Sequence, residues 1–444
     1  MESIARVVDK FKDLMLEAER YIWAHPETGY KEYKTSAYLE KIFEELGYDL
    51  TRAGDIPGFY TVVDTGREGP EVLVLAELDS VICEAHPEAD KETGAVHSCG
   101  HHAQCAALIG IAAALRDEQV VSRLSGRIRL CAVPAEELLE IEYRTELKKQ
   151  GRIKYYGGKC EFLSRGYFEG VDMAFMVHTS NDFSVSRGSN GCIAKTIIYK
   201  GKASHAGGSP HLGTNALYAA TCGINAVNAI RETFRDADQI RVHPIITHGG
   251  DIVNAIPHRV SIESYVRGAR DEAIIAANGR VNRAFVGAAL SLGANVEILD
   301  LPGYSPLVNS EEMIDIASEA VALALPDEKF TFNDRIGGGS TDMGDLSRIM
   351  PVVHPYAGGA VGSSHGSNYY ITDPERAVVK SAKMQLSMLL LLLGDGAARA
   401  KEIIDNFTPD FASAKEYLAY KDSLFSEGDR IVYREDGTAE ARIN

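Results

Sequence analysis

The segment Val72-Leu73-Val74-Leu75-Ala76 is a short apolar run, and Glu77-Leu78-Asp79 follows it at once. An unbroken apolar run of this length is typical of a strand that is buried on both faces of a sheet. Similar runs occur at Phe59–Val63, Ile128–Ala132 and Met173–Val177. In chain order, a helical stretch at His102–Leu115 separates the second run from the third. Strands that alternate with helices predict an α/β domain with a largely parallel sheet.

The pattern changes near Gly191. From there a strand, a helix, two strands, a helix and a strand are predicted in turn: Ile193–Tyr199, Asn215–Phe234, Gln239–Thr247, Arg259–Val266, Glu272–Leu292 and Ala294–Leu299. This β-α-β-β-α-β order is the split, ferredoxin-like pattern, which forms a compact unit of its own. We therefore expect an α/β domain made of residues 1–191 and 305–444, interrupted by an inserted domain at residues 192–304.

The two ends of the α/β domain differ in character. The first segment, Glu2–Trp23, has apolar residues at helical spacing and predicts an amphipathic helix. The last fifty or so residues are polar, and the sequence assigns them no chemistry. We expect this tail to belong to the second part of the α/β domain.

The overall charge excludes some partners. The 444 residues contain 46 Lys and Arg against 63 Asp and Glu, a formal net charge of −17. A nucleic-acid partner is not expected, because binding phosphates requires a basic surface. The longest apolar runs, Cys105–Leu115 and Met388–Leu393, are shorter than the ~20 residues that span a bilayer, so no membrane partner is expected either.

The seven cysteines are scattered along the chain. An odd and unclustered set is unlike the disulfide framework of a secreted domain. The sequence also begins without a basic region followed by an apolar stretch, so no signal peptide is expected. Both observations predict reduced thiols and a cytoplasmic location.

The densest cluster of metal-binding residue types is His97-Ser98-Cys99-Gly100-His101-His102. Thiolate and imidazole groups bind Zn²⁺ and similar divalent ions. Gly100 permits a tight turn, through which Cys99 and His101 can converge. A turn at the start of a helix, with a buried thiol and surface histidines, would have the same sequence. By itself the motif therefore leaves metal binding open.

Further polar groups follow three of the predicted strands. Glu77 and Asp79 end one strand, Glu136 and Glu137 follow the next, and His178 follows the third. Ligands of open α/β sheets bind at the carboxyl ends of strands, so these groups are expected to share one crevice.

Adjacent side chains in extended backbone point to opposite sides, so Glu136 and Glu137 have different tasks. One can bind a metal while the other takes a proton from water, as metal-assisted hydrolysis requires.

Later motifs add candidate binding groups. His205 lies between small residues after the first strand of the inserted domain. Asn254 and Arg267 offer an amide and a guanidinium, which suit a carbonyl or a carboxylate. The Gly-rich loop Gly337–Asp342 lacks the Lys-Ser/Thr ending of a phosphate-binding loop. His365 lies between a serine and a glycine shortly before the last long helix.

Taken in order, these motifs resemble those of the dinuclear metallopeptidase family of aminoacylases and glutamate carboxypeptidases. The resemblance is strongest to its amidohydrolase branch, which contains hippurate hydrolase, aminobenzoyl-glutamate hydrolase and auxin–amino-acid conjugate hydrolases. It extends over most of the chain, from the helix around His25 to the helix near Pro374–Leu393. The motifs that carry it are His97–His102, Pro134–Glu137, Ser204–Ala206, Val253–Pro257 and Ser364–Gly366.

The resemblance implies a catalytic α/β domain that holds two divalent metal ions, and an inserted lid or dimerisation domain that joins two copies into a homodimer. By motif match, five residues are implied as metal ligands, with the thiolate of the first as a bridge: Cys99, His101, Glu137, His178 and His365.

The same resemblance implies roles for five other residues. Glu136 is the general base that acts on a metal-activated water, and Asp79 orients a ligand histidine. His205 reaches the oxyanion of the tetrahedral intermediate, in this family often from the partner subunit. Asn254 and Arg267 bind the carbonyl or carboxylate of the substrate.

Three features depart from the family pattern. Glu77 stands where the most familiar form of the family has a histidine ligand and where the amidohydrolase branch has Asp. His102 stands where that branch commonly has Asp. The segment Leu138–Glu169 is longer than usual, and it either reshapes the substrate pocket or forms a charged surface hairpin.

These observations predict a metal-dependent amidohydrolase that cleaves the amide bond of an N-acyl amino acid or a dipeptide-like substrate. The alternatives are a thiol hydrolase with Cys99 as nucleophile, and a non-catalytic metal-binding relative. A set of Cys, His and Glu ligands predicts Zn²⁺ or Mn²⁺ and also accepts Co²⁺ or Ni²⁺. The acyl group and the amino acid of the substrate stay open.

Overall fold

The computed structural model describes residues 5–443, and the chain forms two compact units. The first contains the chain up to Gly188 together with Leu307–Ile336 and Thr341–Lys415. The second contains Ser189–Pro306, Gly337–Ser340 and the chain from Glu416 onward. The chain therefore leaves the first unit at Gly188 and returns to it at Leu307.

A six-stranded sheet forms the centre of the first unit. In spatial order its strands are Thr51–Arg52, Phe59–Asp64, Arg127–Val133, Glu71–Glu77, Met173–Phe175 and Val352–Val353. The last four are parallel, and the first two are antiparallel additions at one edge. Every residue of Glu71–Glu77 is buried, as its apolar run predicts for a strand covered on both faces. The predicted α/β class with a largely parallel sheet is confirmed.

Helices share one hydrophobic core with this sheet. The helix His101–Ala114 is buried along its whole length, because it is apolar on all sides after its first turn. The predicted first helix consists of a 3₁₀ helix, Arg6–Phe11, and the α-helix that follows it. Residues 2–4 of that prediction lie outside the described residues. The α-helices of this unit are Lys12–Trp23, Tyr33–Glu45, His101–Ala114, Glu118–Val121, Ile141–Lys149, Gly158–Ser164, Glu311–Ala324, Met343–Ser347, Ser381–Leu393 and Ala398–Asn406.

Smaller strands lie beside the main sheet. One sheet contains Leu307–Val308, Ser184–Ser189, Tyr356–Ala357 and His178–Thr179, with Thr331–Gly337 paired to Ser184–Ser189. Two hairpin-like pairs are Val81–Ile82 with Ala95–Val96, and Ala360–Val361 with Tyr370–Ile371. Within residues 5–443 no single helix is long and apolar enough to cross a membrane, and one bent pair of helices, Glu375–Leu393 with Asp395–Asn406, reaches that length and composition.

The second unit is an antiparallel sheet packed against two helices, Ala216–Ile230 and Asp271–Ser291. Its strands in spatial order are Arg241–Val242, Arg259–Gly268, Gly191–Lys200, Asn295–Pro302 and Ser426–Asp429, with Ile245–His248 also paired to Arg259–Gly268. Up to Pro302 the elements follow one another in the predicted β-α-β-β-α-β order, with the second strand divided into two short pieces. Burial alternates along Arg259–Gly268, because only one face of this sheet is covered.

The polar tail differs from the expectation that residues 305–444 continue the α/β domain. After the helix Ala414–Ser423, Ser426–Asp429 adds a strand to the free edge of Asn295–Pro302. Ile431 follows with 2% of its surface exposed and lies in the core of the second unit. An edge strand has unpaired N–H and C=O groups, which favour the addition of a strand of almost any side-chain composition. The chain from Glu416 onward is therefore part of the second unit.

Candidate metal centre

The carboxyl ends of three parallel strands meet at one edge of the main sheet. These neighbouring strands end at Val133, Glu77 and Phe175. The chain continues directly from them to Glu136 and Glu137, to Asp79, and to His178. The three groups predicted from strand endings are therefore at the same edge.

The turn before the helix His101–Ala114 adds Cys99 to this edge. Gly100 has a φ of +96°, and a Cβ atom at this position would collide with the side-chain oxygens of Thr179 and Tyr369. Only glycine combines this backbone conformation with so close an approach. Cys99 and His101 converge from the two sides of Gly100, as predicted from the sequence.

Cys99 Sγ is shared by two sets of possible metal ligands. One set is Cys99, His101 and His178, and the other is Cys99, Glu137 and His365. Within each set the ligand atoms all lie within 4.8 Å of one another. His178 Nε2 is 3.4 Å from the sulfur, and His365 Nε2 is 2.9 Å from Glu137 Oε1. The structure thus brings together all five predicted ligands, in two sets joined by one sulfur.

Backbone carbonyls fix two of the ligand histidines. His101 Nδ1 is 2.9 Å from the carbonyl oxygen of Asp79, and His178 Nδ1 is 2.9 Å from that of Thr179. A carbonyl oxygen only accepts, so Nδ1 carries the proton in both rings and the Nε2 lone pair is left for a metal. Asp79 Oδ1 is also 3.2 Å from His101 Nδ1, and its Oδ2 accepts from the backbone N–H of Glu137 at 2.8 Å. One buried carboxylate therefore contacts a member of each set.

Glu136 and Glu137 point to different partners. Glu137 faces the second ligand set, whereas Glu136 Oε2 is 4.0 Å from His101 Nε2. Ala135, which directly precedes them, has a φ of +58° and donates its N–H to the buried Glu32 at 2.7 Å, so the backbone that carries both carboxylates is fixed. The two adjacent carboxylates are thus divided as their positions in extended backbone predict.

The pKa of the Cys99 thiol is lowered, whereas the pKa values of the Glu136 and Glu137 carboxyls are raised. Burial by itself would raise the pKa of the Cys99 thiol, but His101 and His178 outweigh it and hold that pKa well below its usual value. Burial raises the pKa of Glu136 well above its usual value and that of Glu137 to about 7. In both cases neighbouring negative charges add to the effect of burial. A site with this excess of negative groups attracts cations.

The donor set fits a pair of divalent ions. His101 Nε2 is buried and makes no hydrogen bond within the described part of the chain. Its neighbours Cys99, Glu77 and Glu136 offer a sulfur and carboxylate oxygens, which accept as the Nε2 lone pair does, so a cation among these atoms would satisfy all of them. Thiolate, imidazole and carboxylate together suit ions such as Zn²⁺ and Mn²⁺.

Three predicted site residues, His205, Asn254 and Arg267, lie in the second unit. The loops of the first two meet, since the N–H of Ala206 donates to the Asn254 carbonyl at 2.9 Å. The exposed His205 accepts at Nδ1 from the N–H groups of the two following glycines, so its proton is on Nε2.

Arg267 lies apart from this pair. The strand Arg259–Gly268 begins five residues after Asn254, and Arg267 lies eight residues along it. At ~3.3 Å per residue, the arginine is roughly 26 Å from the beginning of the strand. Its guanidinium lies over the Tyr265 ring, 5.2 Å from the ring centre.

His102 and Glu77 are the two single residues that depart from the family pattern. Neither belongs to the ligand sets that share Cys99. His102 is buried, with Nε2 3.4 Å from Glu19 Oε1. Glu77 is buried beside His101, with Oε2 3.2 Å from Nε2 of that histidine.

The segment Leu138–Glu169 supplies two buried cations that sequence reasoning missed. Arg144 is 1% exposed and donates to the backbone carbonyls of Glu137 and Tyr156. Lys159 is fully buried and pairs with Glu77 and with Asp342, a residue of the Gly-rich loop. Nothing in the sequence marks these contacts, because charged residues in a polar segment are usually solvated. This part of the segment is therefore internal and not a surface hairpin.

Comparisons with known proteins agree with this geometry. Residues 73–390 match the sequence profile of Peptidase family M20/M25/M40. The chain is 27% identical to a Xaa-Arg dipeptidase of Mus musculus over 79% of this chain and 78% of the relative. It is 27% identical to an N-acetyl-L-cysteine deacetylase of Bacillus subtilis, over 69% and 71%. Its fold is similar to that of a dinuclear metal-binding peptidase of the M20 family from Bacillus subtilis, with a TM-score of 0.63, 21% identity, and coverage of 87% of this chain and 99% of that one.

Replacing the shared sulfur is expected to affect both ligand sets. Cys99→Ser should bind neither of the two ions, whereas His365→Ala should lose one, because only Cys99 belongs to both sets. Metal content per chain after dialysis against Mn²⁺ measures the difference. Cys222→Ser, which changes an exposed cysteine, is the control and should bind as the wild type does. A Cys99→Ser protein that retains one ion would mean that the sulfur serves a single site.

Proposed function

The chain belongs to peptidase family M20/M25/M40, and we propose that it cleaves the amide bond of N-acyl amino acids or dipeptide-like substrates by metal-assisted hydrolysis. The observation that carries this proposal is the position of Glu136. Its carboxylate lies beside two ligand sets that share the Cys99 sulfur but belongs to neither of them. A base next to a metal pair, and not bound in it, is what hydrolysis by activated water requires.

The residues of the first unit divide the work. Two divalent ions, when bound, would polarise the amide carbonyl and lower the pKa of water. They would be held by the five ligands Cys99, His101, Glu137, His178 and His365. Glu136 would take the proton of the attacking water and deliver it to the leaving amine nitrogen. Asp79 would keep His101 in the tautomer that leaves Nε2 free.

Zn²⁺ and Mn²⁺ are the ions we propose, and Co²⁺ and Ni²⁺ are further candidates. The two sets contain one shared thiolate, three imidazoles and one carboxylate. These are borderline donors that accept all four ions, so availability in the cell decides between them.

The substrate is proposed to carry a carboxylate next to the amide. Arg267 offers a guanidinium that suits a carboxylate, and Asn254 offers an amide that suits a carbonyl. His205, with its proton on Nε2, can donate to the oxyanion that forms on the substrate. The relatives named above act on dipeptides and on an N-acetyl amino acid by their names, and both are substrates of this class.

A homodimer through the second unit is part of the proposal. The strand Ile245–His248 is exposed at all four residues and is paired on one side to Arg259–Gly268. A groove of about 370 Å³ lies near it, lined among others by Tyr218, Ile252 and Val253, which are 65%, 62% and 101% exposed. A free edge strand next to exposed apolar side chains is a surface that favours association.

The spacing within the second unit also favours two copies at each active site. Arg267 lies roughly 26 Å along its strand from the end near Asn254. A dipeptide-like substrate spans only ~7 Å, which is much less than the length of strand between Arg259 and Arg267. If both bind the same substrate, they come from different subunits.

A cytoplasmic location is proposed from the thiols. All seven cysteines are free in the structure. A reducing compartment keeps Cys99 in the state that binds metal, since an oxidised sulfur would not.

Glu136→Gln is expected to retain both ions but to lower kcat by about 10²–10⁴-fold, because an amide cannot accept the proton. A panel of N-acyl amino acids, aminobenzoyl-glutamate and dipeptides, assayed with added Mn²⁺ or Zn²⁺, identifies the substrate on which kcat is compared. Glu146→Gln, at an exposed position, is the matched control.

Near-wild-type turnover of Glu136→Gln would contradict the role of the base. Treatment with EDTA should abolish hydrolysis, and Mn²⁺ or Zn²⁺ should restore it. Activity that persists in metal-free protein would instead favour a thiol hydrolase with Cys99 as nucleophile. Metal binding without hydrolysis of any compound in the panel would favour a non-catalytic relative.

Mixing two inactive variants tests whether His205 acts across the dimer. Each heterodimer of His205→Ala and Glu136→Gln has one site with Glu136 from one subunit and His205 from the other. Activity should therefore return on mixing, although neither variant is active alone. Inactive mixtures in which native mass spectrometry detects heterodimers would contradict action across the interface.

A further inference from the structure

A lysine from the segment Leu138–Glu169 reaches the interior of the site. Lys159 lies on the helix Gly158–Ser164, and its side chain is fully buried. Its Nζ is 2.5 Å from Glu77 Oε1 and also contacts Asp342 Oδ1. The backbone N–H of Lys159 donates to Asp342 Oδ2 at 2.9 Å, so both ends of the residue are fixed.

The helix Gly158–Ser164 is packed closely against the loop that carries Glu136. Its first residue, Gly158, donates its N–H to the Ala135 carbonyl at 3.2 Å. A Cβ atom on this glycine would collide with the carbonyl oxygen of Pro134. The helix therefore packs backbone to backbone against the turn that carries Glu136, and the Lys159 ammonium is at a defined position.

A third set of possible metal ligands lies next to this ammonium. Glu77, His101 and Glu136 have ligand atoms that all lie within 4.8 Å of one another. Two of them, Glu77 and Glu136, are outside the sets that share Cys99. The single free lone pair of His101, on Nε2, already belongs to the first set, so a further ion here would be held by the carboxylates of Glu77 and Glu136. The proposed base could then no longer take a proton.

Lys159 has the charge and the position to prevent this. It neutralises Glu77 from one side, while Gln104 Nε2 donates to the other oxygen, Oε2, at 2.9 Å. The two oxygens of Glu77 are thus engaged by protein donors. An ammonium in a buried, weakly screened environment also repels a divalent ion in its neighbourhood.

We propose that Lys159 is a positioning residue that acts as a built-in cation: it holds Glu77 out of the metal ligands, limits the site to two ions, and keeps Glu136 free of metal. This inference rests on the proposed function of Glu136. It gives the segment Leu138–Glu169 a task inside the site, and it accounts for Glu77 at a position where the family's familiar form has a ligand histidine.

Metal stoichiometry tests this proposal without any assay of activity. Metal-free Lys159→Met is titrated with Mn²⁺ alone, and the bound ion is counted by calorimetry and by elemental analysis. We expect a third ion in Lys159→Met and only two in wild type. Lys149→Met, at an exposed position of the same segment, is the matched control and should bind two.

A double variant identifies where the third ion binds. Lys159→Met/Glu77→Gln should return to two ions, because the new ligand has been removed again. In hydrolysis assays, Lys159→Met should be inhibited by Mn²⁺ at concentrations about 10–100-fold below those that inhibit wild type, the usual size of effects from groups around a metal. The inhibition should be absent from the double variant.

Two ions in folded Lys159→Met would overturn the proposal. If that variant does not fold, Lys159→Met/Asp342→Asn removes one of the two charges left unpaired and is titrated in its place, with the same expectation. Glu77→Gln alone should keep two ions, and the loss of one would show that Glu77 is a ligand, which also overturns the proposal. These counts do not depend on substrate. The inference about Lys159 can therefore fail while the Glu136→Gln result still supports the proposed function, and the proposed function can fail while the ion counts still support the inference.

Discussion

The sulfur of Cys99 is the one atom on which the rest of the candidate site depends. The two sets of ligand atoms have only this residue in common, and their other members come from a helix start, two strand endings and a distant turn. Parallel strands bring Glu137, Asp79 and His178 to one edge, and Gly100 lets Cys99 turn towards them. The order of the strands therefore decides the chemistry, because a sheet that paired these strands differently would separate the donors.

The first unit holds this acidic centre together with cations that are themselves buried. Burying an ion costs several kcal/mol unless it is paired and hydrogen-bonded. Lys159 meets that condition through Glu77 and Asp342, and Arg144 through the backbone carbonyls of Glu137 and Tyr156, on either side of the helix Ile141–Lys149 that carries it. Lys159 thereby contacts Glu77, which lies beside His101, and Arg144 contacts the backbone of the candidate ligand Glu137. The segment Leu138–Glu169 therefore supports residues next to the candidate ligands, and removing either cation would leave polar groups in the interior without this partner.

Much of this site could be predicted from the sequence, since its signals are local. The apolar run before Glu77 indicates a buried strand, and the Cys-Gly-His step indicates a turn with two converging ligands. The contacts of Lys159 could not be predicted, because it pairs with residues 82 and 183 positions away and nothing nearby marks it as buried. The strand Ser426–Asp429 was missed for a related reason. Its polar sequence has no strand pattern, and the free edge of Asn295–Pro302 decides its conformation.

The sharing of one sulfur by two metal ions is tested most directly by anomalous diffraction. Crystals grown with Mn²⁺ or Zn²⁺ should give two anomalous peaks about 3.5–4 Å apart, as is usual for paired catalytic ions. Cys99 Sγ should lie within bonding distance of both peaks, with His101 and His178 at one ion and Glu137 and His365 at the other. A single peak, or two peaks of which Cys99 contacts only one, would contradict the account.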